Sequence, residues 1–577
     1  MRIYYRPRLN LDGVWWFKLD PEDVGENKKW FEGLPSSEDI YVPSSWNEQN
    51  PSWESYMGVA WYERRFFVPA EFRKMIPWIV FEGVNYRAKV WVNGAFLGGH
   101  EGGFTSFKFN AEGSIRFGEE NALVVRVDDE LTPHNIPPGE SMNKTYFDFF
   151  HYGGIYRPVY LEFTKTTFID DLKVVADHRG HLDVEVEVGG EVLGELAFKL
   201  LSPDGVEMMS HREEIKDRRV HVRAKARGVK PWSPENPVLY KLRVKIHLGE
   251  DLIDWVDEHI GFRTVEVKGG KLLLNGKPVF LKGFGRHEDF PVTGKYVPGA
   301  VLIRDFNLMK SLGANSFRTT HYPYSRLHMD LADRYGFLVI LEAPLVGLRD
   351  VHFKDEKYLE KAKKVIEEMV REHRNRPSVI MYSVANEPLS STDNARGFIE
   401  ELYNHVRQLD PTRPITFASM LHAKDKALGV VDVISLNLYF GWYSHHGNLD
   451  AGVKEADETL EEVHKMYPGK PILVTEFGAG AINGLHSDPP EMWSEEYQAE
   501  FLRSYIKMFK QKSFLTGFHI WCFADFKTPQ SHFRTVLNRK GLFTRIREPK
   551  LAAHAIRREY SEKRSDVHPQ GLKRGRL

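Results

Sequence analysis

Two glutamates end buried, strand-like runs, and a pair of carboxyls so placed can carry acid–base and nucleophilic chemistry together. The run from Ser378 reads Ser-Val-Ile-Met-Tyr-Ser-Val-Ala and stops at Asn386-Glu387-Pro388. Nearly unbroken apolar residues over this length suit a strand covered on both faces, as in a parallel sheet flanked by helices. Proline supplies no N–H to a ladder and biases the residue before it toward extended backbone, so Glu387 is expected at the strand's carboxyl end. A second run, Pro471-Ile-Leu-Val-Thr-Glu-Phe-Gly, ends in the same way at Glu476. A lone strand-end glutamate is ordinarily a solvated side chain. Two of them on strands of one barrel face each other across its mouth, which is what hydrolysis of a glycosidic bond requires. About 5 Å between the carboxyls gives a covalent glycosyl-enzyme, and roughly 6.5 Å or more leaves room for water and inversion. Spacing along the chain leaves that separation open.

The elements that must position this pair follow from rhythm. From about Glu266 the sequence alternates apolar strands with amphipathic stretches. The strands span 278–285, 314–321, 337–346, 378–387, 414–419, 433–439, 471–478 and 517–526, and the helical stretches include 357–374, 397–407 and 494–512. Eight such repeats over roughly 300 residues are what a (β/α)8 TIM barrel needs, with its active site at the carboxyl ends of the strands. Ahead of it, residues 1–162 hold short strands punctuated by Asn93-Gly94, Gly98-Gly99 and Gly102-Gly103, the pattern of a β jelly-roll sandwich. Residues 163–265 alternate plainly, as in Leu182-Asp-Val-Glu-Val-Glu-Val, and fit an immunoglobulin-like β-sandwich. The chain therefore reads as multidomain, with the catalytic barrel over 266–560 and a basic C-terminal tail over 561–577, expected to be frayed.

Composition narrows the classes. A chain of 577 residues exceeds what one core supports. Its 79 basic and 80 acidic residues leave a net charge of −1, so no global field favours nucleic acid or an acidic membrane surface. The single cysteine, Cys522, excludes an internal disulfide and a cysteine metal cluster. No apolar run reaches membrane-spanning length and the start lacks a signal-peptide core, so a soluble, cytoplasmic protein is expected and the sequon at Asn143 carries no weight. The 13 Trp and 24 Tyr supply rings able to stack on sugars.

With the motifs in view, the chain resembles glycoside hydrolase family 2, and within it the β-glucuronidases. Asn315-Ser-Phe-Arg-Thr-Thr-His-Tyr-Pro followed by Asp333-Arg-Tyr-Gly-Phe-Leu-Val matches the family's barrel signature, and Ala385-Asn-Glu-Pro its acid/base motif. The resemblance covers the whole chain. It implies Glu476 as nucleophile, Glu387 as acid/base and retention of configuration. It also implies Asn386 on the sugar 2-hydroxyl, Tyr439 donating to the nucleophile, and Asn437 lining the same site. Arg534-Thr-Val-Leu-Asn538-Arg-Lys540 resembles the segment that reads a uronic carboxylate, with Arg534 in support. An ammonium and an amide both donate to a carboxylate, whereas a neutral sugar leaves a buried lysine charge unpaired. Asp148 would accept from sugar hydroxyls, His287 would hydrogen-bond the sugar, Tyr443 would orient the ring and Trp521 would stack beneath it.

No cofactor and no catalytic metal are expected, in contrast to the metal-using β-galactosidases of that family. His287-Glu288-Asp289 is poor metal geometry, because neighbours on a strand point to opposite faces. The chain departs from some bacterial members after the third strand, where Glu342-Ala-Pro-Leu-Val-Gly-Leu leads to the helix at Lys357 without a long loop. Small glucuronides and uronate-terminated polysaccharides both remain open as substrates. A β-galacturonidase or β-galactosidase is the alternative within the family, and a non-catalytic carbohydrate-binding protein the alternative outside it. The family commonly forms dimers or tetramers, so a homo-oligomer is expected.

Overall fold

The computed structural model describes residues 1–561, so the expected basic tail lies, apart from Ser561, outside the described residues. The first sandwich packs a six-stranded sheet, ordered Glu38–Val42, Gly13–Leu19, Val59–Val68, Glu119–Asp128, Arg87–Val92 and Ala95–Glu101, against a four-stranded one. Alternation sets which face is buried: Trp15 and Phe17 join Tyr62, Leu123, Val125, Ile79 and Leu161 in the core between the sheets. Asn93 and Gly94, both at positive φ, close the hairpin between the last two strands.

The second sandwich packs Thr167–Ala176, His181–Gly190 and Arg219–Lys225 against a sheet that includes Tyr240–Leu248 and Asp251–Ile260. Its core is the inward set Leu182, Val184, Val186, Leu242, Val244 and Ile246. The chain's first strand, Arg2–Tyr4, pairs with Asp251–Ile260 of this second unit, and Val159–Thr164 runs across the division expected at residue 162.

The barrel closes through eight parallel strands: β1 Leu281–Arg286, β2 Ser316–Thr319, β3 Leu338–Glu342, β4 Val379–Asn386, β5 Ile415–Ser419, β6 Ile434–Asn437, β7 Ile472–Glu476 and β8 Leu515–Trp521. All eight coincide with runs read from the sequence. Around them lie α1 Gly299–Ser311, α2 Arg326–Tyr335, α3 Asp350–Phe353, α4 Glu356–His373, α5 Asp393–Leu409, α6 Leu449–Met466, α7 Glu495–Phe509 and α8 Leu551–Ser561. α4 illustrates the local logic. Asp355 caps it by accepting from the Lys357 and Tyr358 N–H groups, and Tyr358, Ala362, Val365, Ile366 and Met369 form the stripe buried on the barrel. No helix among the described residues is long and apolar enough to cross a membrane.

A segment of the first sandwich reaches over the barrel mouth. Phe147 and Phe149 bury into the barrel's own core, and the Phe150 N–H donates to the Lys527 carbonyl at 2.9 Å. Gly347, at φ 62°, allows the closest approach, since a Cβ there would stand 2.1 Å from the Tyr146 carbonyl oxygen. The site beneath is thus walled by two domains.

Candidate active site

A cleft of about 540 Å³ opens at the carboxyl ends of the barrel strands. It is lined by Glu387 and Glu476, by Asp148, Asn386, Asn437, Tyr439, Tyr443, Trp521 and Arg534, and by His321 and Arg349. The location is the one the fold dictates, because the βα loops diverge there and leave a concavity.

Glu476 ends β7 and is buried. One carboxylate oxygen takes a close contact from the Arg318 guanidinium, and the other accepts from the Tyr439 hydroxyl at 2.6 Å. Burial and the neighbouring Glu476 raise the Tyr439 phenol well above its ordinary value, so it remains a donor. Arg318 is fully buried and forks between strands, reaching Glu342 at 2.7 Å and the Asn386 carbonyl at 3.2 Å as well as Glu476. Glu342 in turn holds His321 at 2.7 Å and Ser383 at 2.7 Å. Burial opposes its charge, yet Arg318, His321 and Ser383 keep this carboxyl below its usual range. The result is one preorganised hydrogen-bonded chain running Glu476, Arg318, Glu342, His321.

Glu387 follows β4 and is half-buried. Extended backbone was expected before Pro388, but Glu387 has φ 48°. The chain is clamped on both sides: the Asn386 N–H donates to Leu345, Glu387 to Ala418 and Leu389 to Leu348. These bonds, at 2.8–2.9 Å, offset a left-handed residue that costs on the order of 1–3 kcal/mol. They also turn the carboxyl toward Asn437, whose amide donates to it at 2.8 Å. Asn437 is itself oriented by Thr475, which donates to its carbonyl at 2.8 Å. Burial first, and then the charge of Glu476, push the Glu387 carboxyl up to about 7.

Asn386 turns its carbonyl toward Arg318, since an NH2 there would set donor against donor. Its amide NH2 makes no bond to the protein among the described residues and faces the cleft.

The residues expected to read a carboxylate cluster opposite. Asp148 lines the cleft with its carboxylate part-exposed; Oδ2 accepts from Arg534 at 2.6 Å and from Asn538 at 2.9 Å, while Oδ1 takes a single 3.1 Å bond from Arg534 and keeps acceptor capacity toward the cleft. Lys540 is buried at 2% exposure. Its ammonium donates to the Tyr443 hydroxyl at 2.6 Å and lies 4.5 Å, 5.2 Å and 5.5 Å from the ring centres of Tyr443, Tyr439 and Trp442. No carboxylate pairs with it among the described residues. Arg534 also donates to Tyr443, at 2.9 Å, so the phenol oxygen bridges two cations. Asn538 and Lys540 adjoin the cleft through Asp148 and Tyr443, which line it.

His287 does not reach the cleft, contrary to expectation. Its Nδ1 meets the Tyr322 hydroxyl at 3.0 Å, its Nε2 is buried without a partner among the described residues, and the ring packs on Phe526 and Trp521. Burial holds its pKa well below the ordinary histidine value, so the ring is neutral. The histidine at the wall is His321, which stacks on Trp521 at 5.2 Å and 16°. One indole face is thereby covered, and Trp521 meets the cleft with the rest of its ring. Glu288 and Asp289 likewise turn apart, to Arg157 and to Arg545. Among the described residues no cluster of three His, Cys, Asp or Glu gathers to hold a metal.

Arg318, Glu342 and Trp442 were not singled out in the sequence. Arg318 and Glu342 carried a signal all the same, since charge inside a fully buried strand needs a partner. Trp442 sits inside the Tyr439-Phe-Gly-Trp-Tyr443 run and is wedged against Trp493 at 4.9 Å.

Three family descriptions cover the chain in succession: the glycosyl hydrolases family 2 sugar binding domain over residues 9–165, a further glycosyl hydrolases family 2 domain over 167–263, and the family 2 TIM barrel domain over 265–564. The beta-glucuronidase of Paenibacillus borealis is 36% identical over 96% of both chains. That of Rattus norvegicus is 37% identical over 95% of this chain and 90% of its own. Among solved structures, Ruminococcus gnavus beta-glucuronidase superposes with a TM-score of 0.91 at 33% identity, covering 96% of this chain and 98% of that one. The same protein in complex with D-glucuronic acid gives 0.90 at 34%. The chain is a glycoside hydrolase and belongs to glycosyl hydrolase family 2, where its similarity is to the β-glucuronidases.

Proposed function

We propose that the protein is a retaining exo-β-glucuronidase, with Glu476 as nucleophile and Glu387 as acid/base. The observation that carries the substrate assignment is Lys540, a buried ammonium with a hydroxyl and aromatic faces around it but no paired carboxylate among the described residues. Keeping such a charge dry is costly, and an incoming sugar carboxylate supplies the missing anion. The Ruminococcus gnavus relative, bound to D-glucuronic acid, supports the same reading.

The reaction runs in two displacements. Glu476, its charge held by Arg318 and Tyr439, attacks the anomeric carbon while Glu387 delivers its proton to the departing glycosidic oxygen. The C–O bond to the leaving group breaks as the ester to Glu476 forms. Once esterified, Glu476 no longer repels a second charge, so Glu387 falls below its resting value and can take a proton from water. That water then cleaves the ester, returning both glutamates to their starting states. Asn386, which lines the cleft, holds the 2-hydroxyl in this reading, where interactions strengthen in the transition state.

Two outcomes follow. Glu387 acts in its protonated form, and its raised pKa means that kcat/KM holds below about pH 7 and falls as pH rises through it, by about tenfold per unit. A pH profile measures this, and in Glu387→Gln that limb disappears. The substrate is tested with p-nitrophenyl β-glucuronide against the matching β-galactoside, β-glucoside and β-galacturonide, following the first-formed anomer by NMR. The glucuronide is expected to be cleaved fastest, with β-anomer released first. Faster cleavage of a neutral glycoside overturns the substrate assignment, and faster cleavage of the galacturonide moves it to the C4 epimer.

A further inference from the structure

Arg349 is a cation of the cleft that the reaction above does not use. It is exposed at the cleft's edge, with its guanidinium 3.7 Å from the ring centre of Tyr146. Tyr146 comes from the first sandwich and Arg349 from the loop after β3, so the pair is built at the contact that Gly347 makes possible. The neighbouring carboxylates make their direct ion pairs with other groups, although Glu140 also feels the Arg349 charge at longer range. Glu140 accepts from Tyr146 and pairs with Lys144, while Asp350 pairs with Lys354. No carboxylate pairs with Arg349 among the described residues. Stacking on the ring fixes the planar fork in place, so little ordering remains when an oxyanion docks on it.

Its position defines which part of a substrate it meets. The loop bearing Arg349 is tied to the segment around Glu387: Gly347 N–H donates to Asn386 at 3.0 Å, and Leu389 N–H donates to Leu348 at 2.8 Å. Glu387 is the group that protonates the departing oxygen, so this side of the cleft receives the leaving group. Lys540 and Tyr443 stand after β8 and β6, across the mouth from the loop after β3. The sugar carboxylate and Arg349 are therefore read at opposite ends of the bound molecule.

We propose that the leaving-group side of this cleft is a subsite for an anionic aglycone, one bearing a carboxylate or sulfate within reach of Arg349. The inference rests on the glucuronidase reading and extends it from the sugar to the group it is attached to. Arg349 acts here as a specificity residue and takes no part in proton or glycosyl transfer.

The test compares kcat/KM for p-nitrophenyl β-glucuronide with that for 3-carboxy-4-nitrophenyl and 3-sulfo-4-nitrophenyl β-glucuronides, in wild type, Arg349→Gln and Arg349→Lys. Quoting each variant's charged-to-neutral ratio against the wild-type ratio cancels the intrinsic reactivities of the leaving groups. In Arg349→Gln, which keeps a polar side chain over Tyr146, the ratio is expected to fall about fivefold, as for a partly exposed charge pair. Lysine should restore part of it. Raising ionic strength from about 0.05 M to about 0.5 M should shrink the wild-type preference and leave the glutamine variant's ratio flat. The two charged substrates distinguish carboxylate from sulfate recognition. A ratio that Arg349→Gln leaves unchanged, with p-nitrophenyl β-glucuronide still cleaved, overturns this inference alone. Wild type that cleaves none of the glucuronides overturns the glucuronidase reading and this one with it.

Discussion

Glu476→Ala is expected to lower kcat on aryl β-glucuronides by on the order of 10⁴- to 10⁶-fold, the scale seen when a residue that forms the covalent intermediate is removed. Two features make this an unambiguous experiment. The first is that the fold should survive, because Arg318 keeps its 2.7 Å bond to Glu342 and its bond to Asn386 when Glu476 is gone. The second is that removing the carboxylate opens space on the face of the sugar opposite the leaving group. Added azide can enter there, and with an activated aryl leaving group it should restore part of the rate and yield the α-glucuronosyl azide. The inverted product identifies Glu476 as the group azide replaces. Rescue at Glu387→Ala should instead give the β-azide, since there the anion attacks an intact glycosyl-enzyme. If Glu476→Ala stays within tenfold of wild type, the nucleophile lies elsewhere in the cleft.

Much of this site was legible before the structure. Strands buried on both faces make long apolar runs, so all eight barrel strands could be read, and with them the positions of Glu387 and Glu476 at strand ends. Asn538 and Lys540 were legible only through the family resemblance, because on its residues alone a basic loop after the last strand reads as solvated surface. What escaped has physical reasons. The left-handed backbone of Glu387 is imposed by bonds to Leu345, Ala418 and Leu348 on neighbouring strands and loops, and these override the local preference of a residue before proline. His287 and His321 both follow a barrel strand, and only packing against Phe526, Tyr322 and Trp521 decides which one faces the cleft. The added engagement of Asp148 by Arg534 and Asn538 depends on how a loop of the first sandwich docks on the barrel, a contact no local pattern encodes. The same docking brings Tyr146 beneath Arg349.

Lys540→Met should separate sugar recognition from catalysis. Methionine keeps an unbranched stem against Trp442 and Tyr443 but removes the ammonium. A buried, hydrogen-bonded charge pair loses about 2–5 kcal/mol when one partner is truncated, which converts to roughly 30- to several-thousand-fold in kcat/KM for the glucuronide. The effect on p-nitrophenyl β-glucoside should run the other way. Wild type meets a neutral sugar with a buried lysine charge left unpaired, and that penalty disappears with the charge, so the glucoside should be cleaved at an equal or modestly higher rate. The measured quantity is the ratio of kcat/KM for glucuronide to that for glucoside, which should fall at least as far as the glucuronide rate itself. Lys540→Arg is not a conservative control. A planar fork cannot occupy the small space between the Tyr443 hydroxyl and the three rings, so it should also lose glucuronide activity. A fall of equal size on both substrates would mean that Lys540 supports the position of Tyr439, and through it Glu476, rather than reading a carboxylate. Unequal falls assign it to the sugar, because only the glucuronide carries the charge that the ammonium lacks.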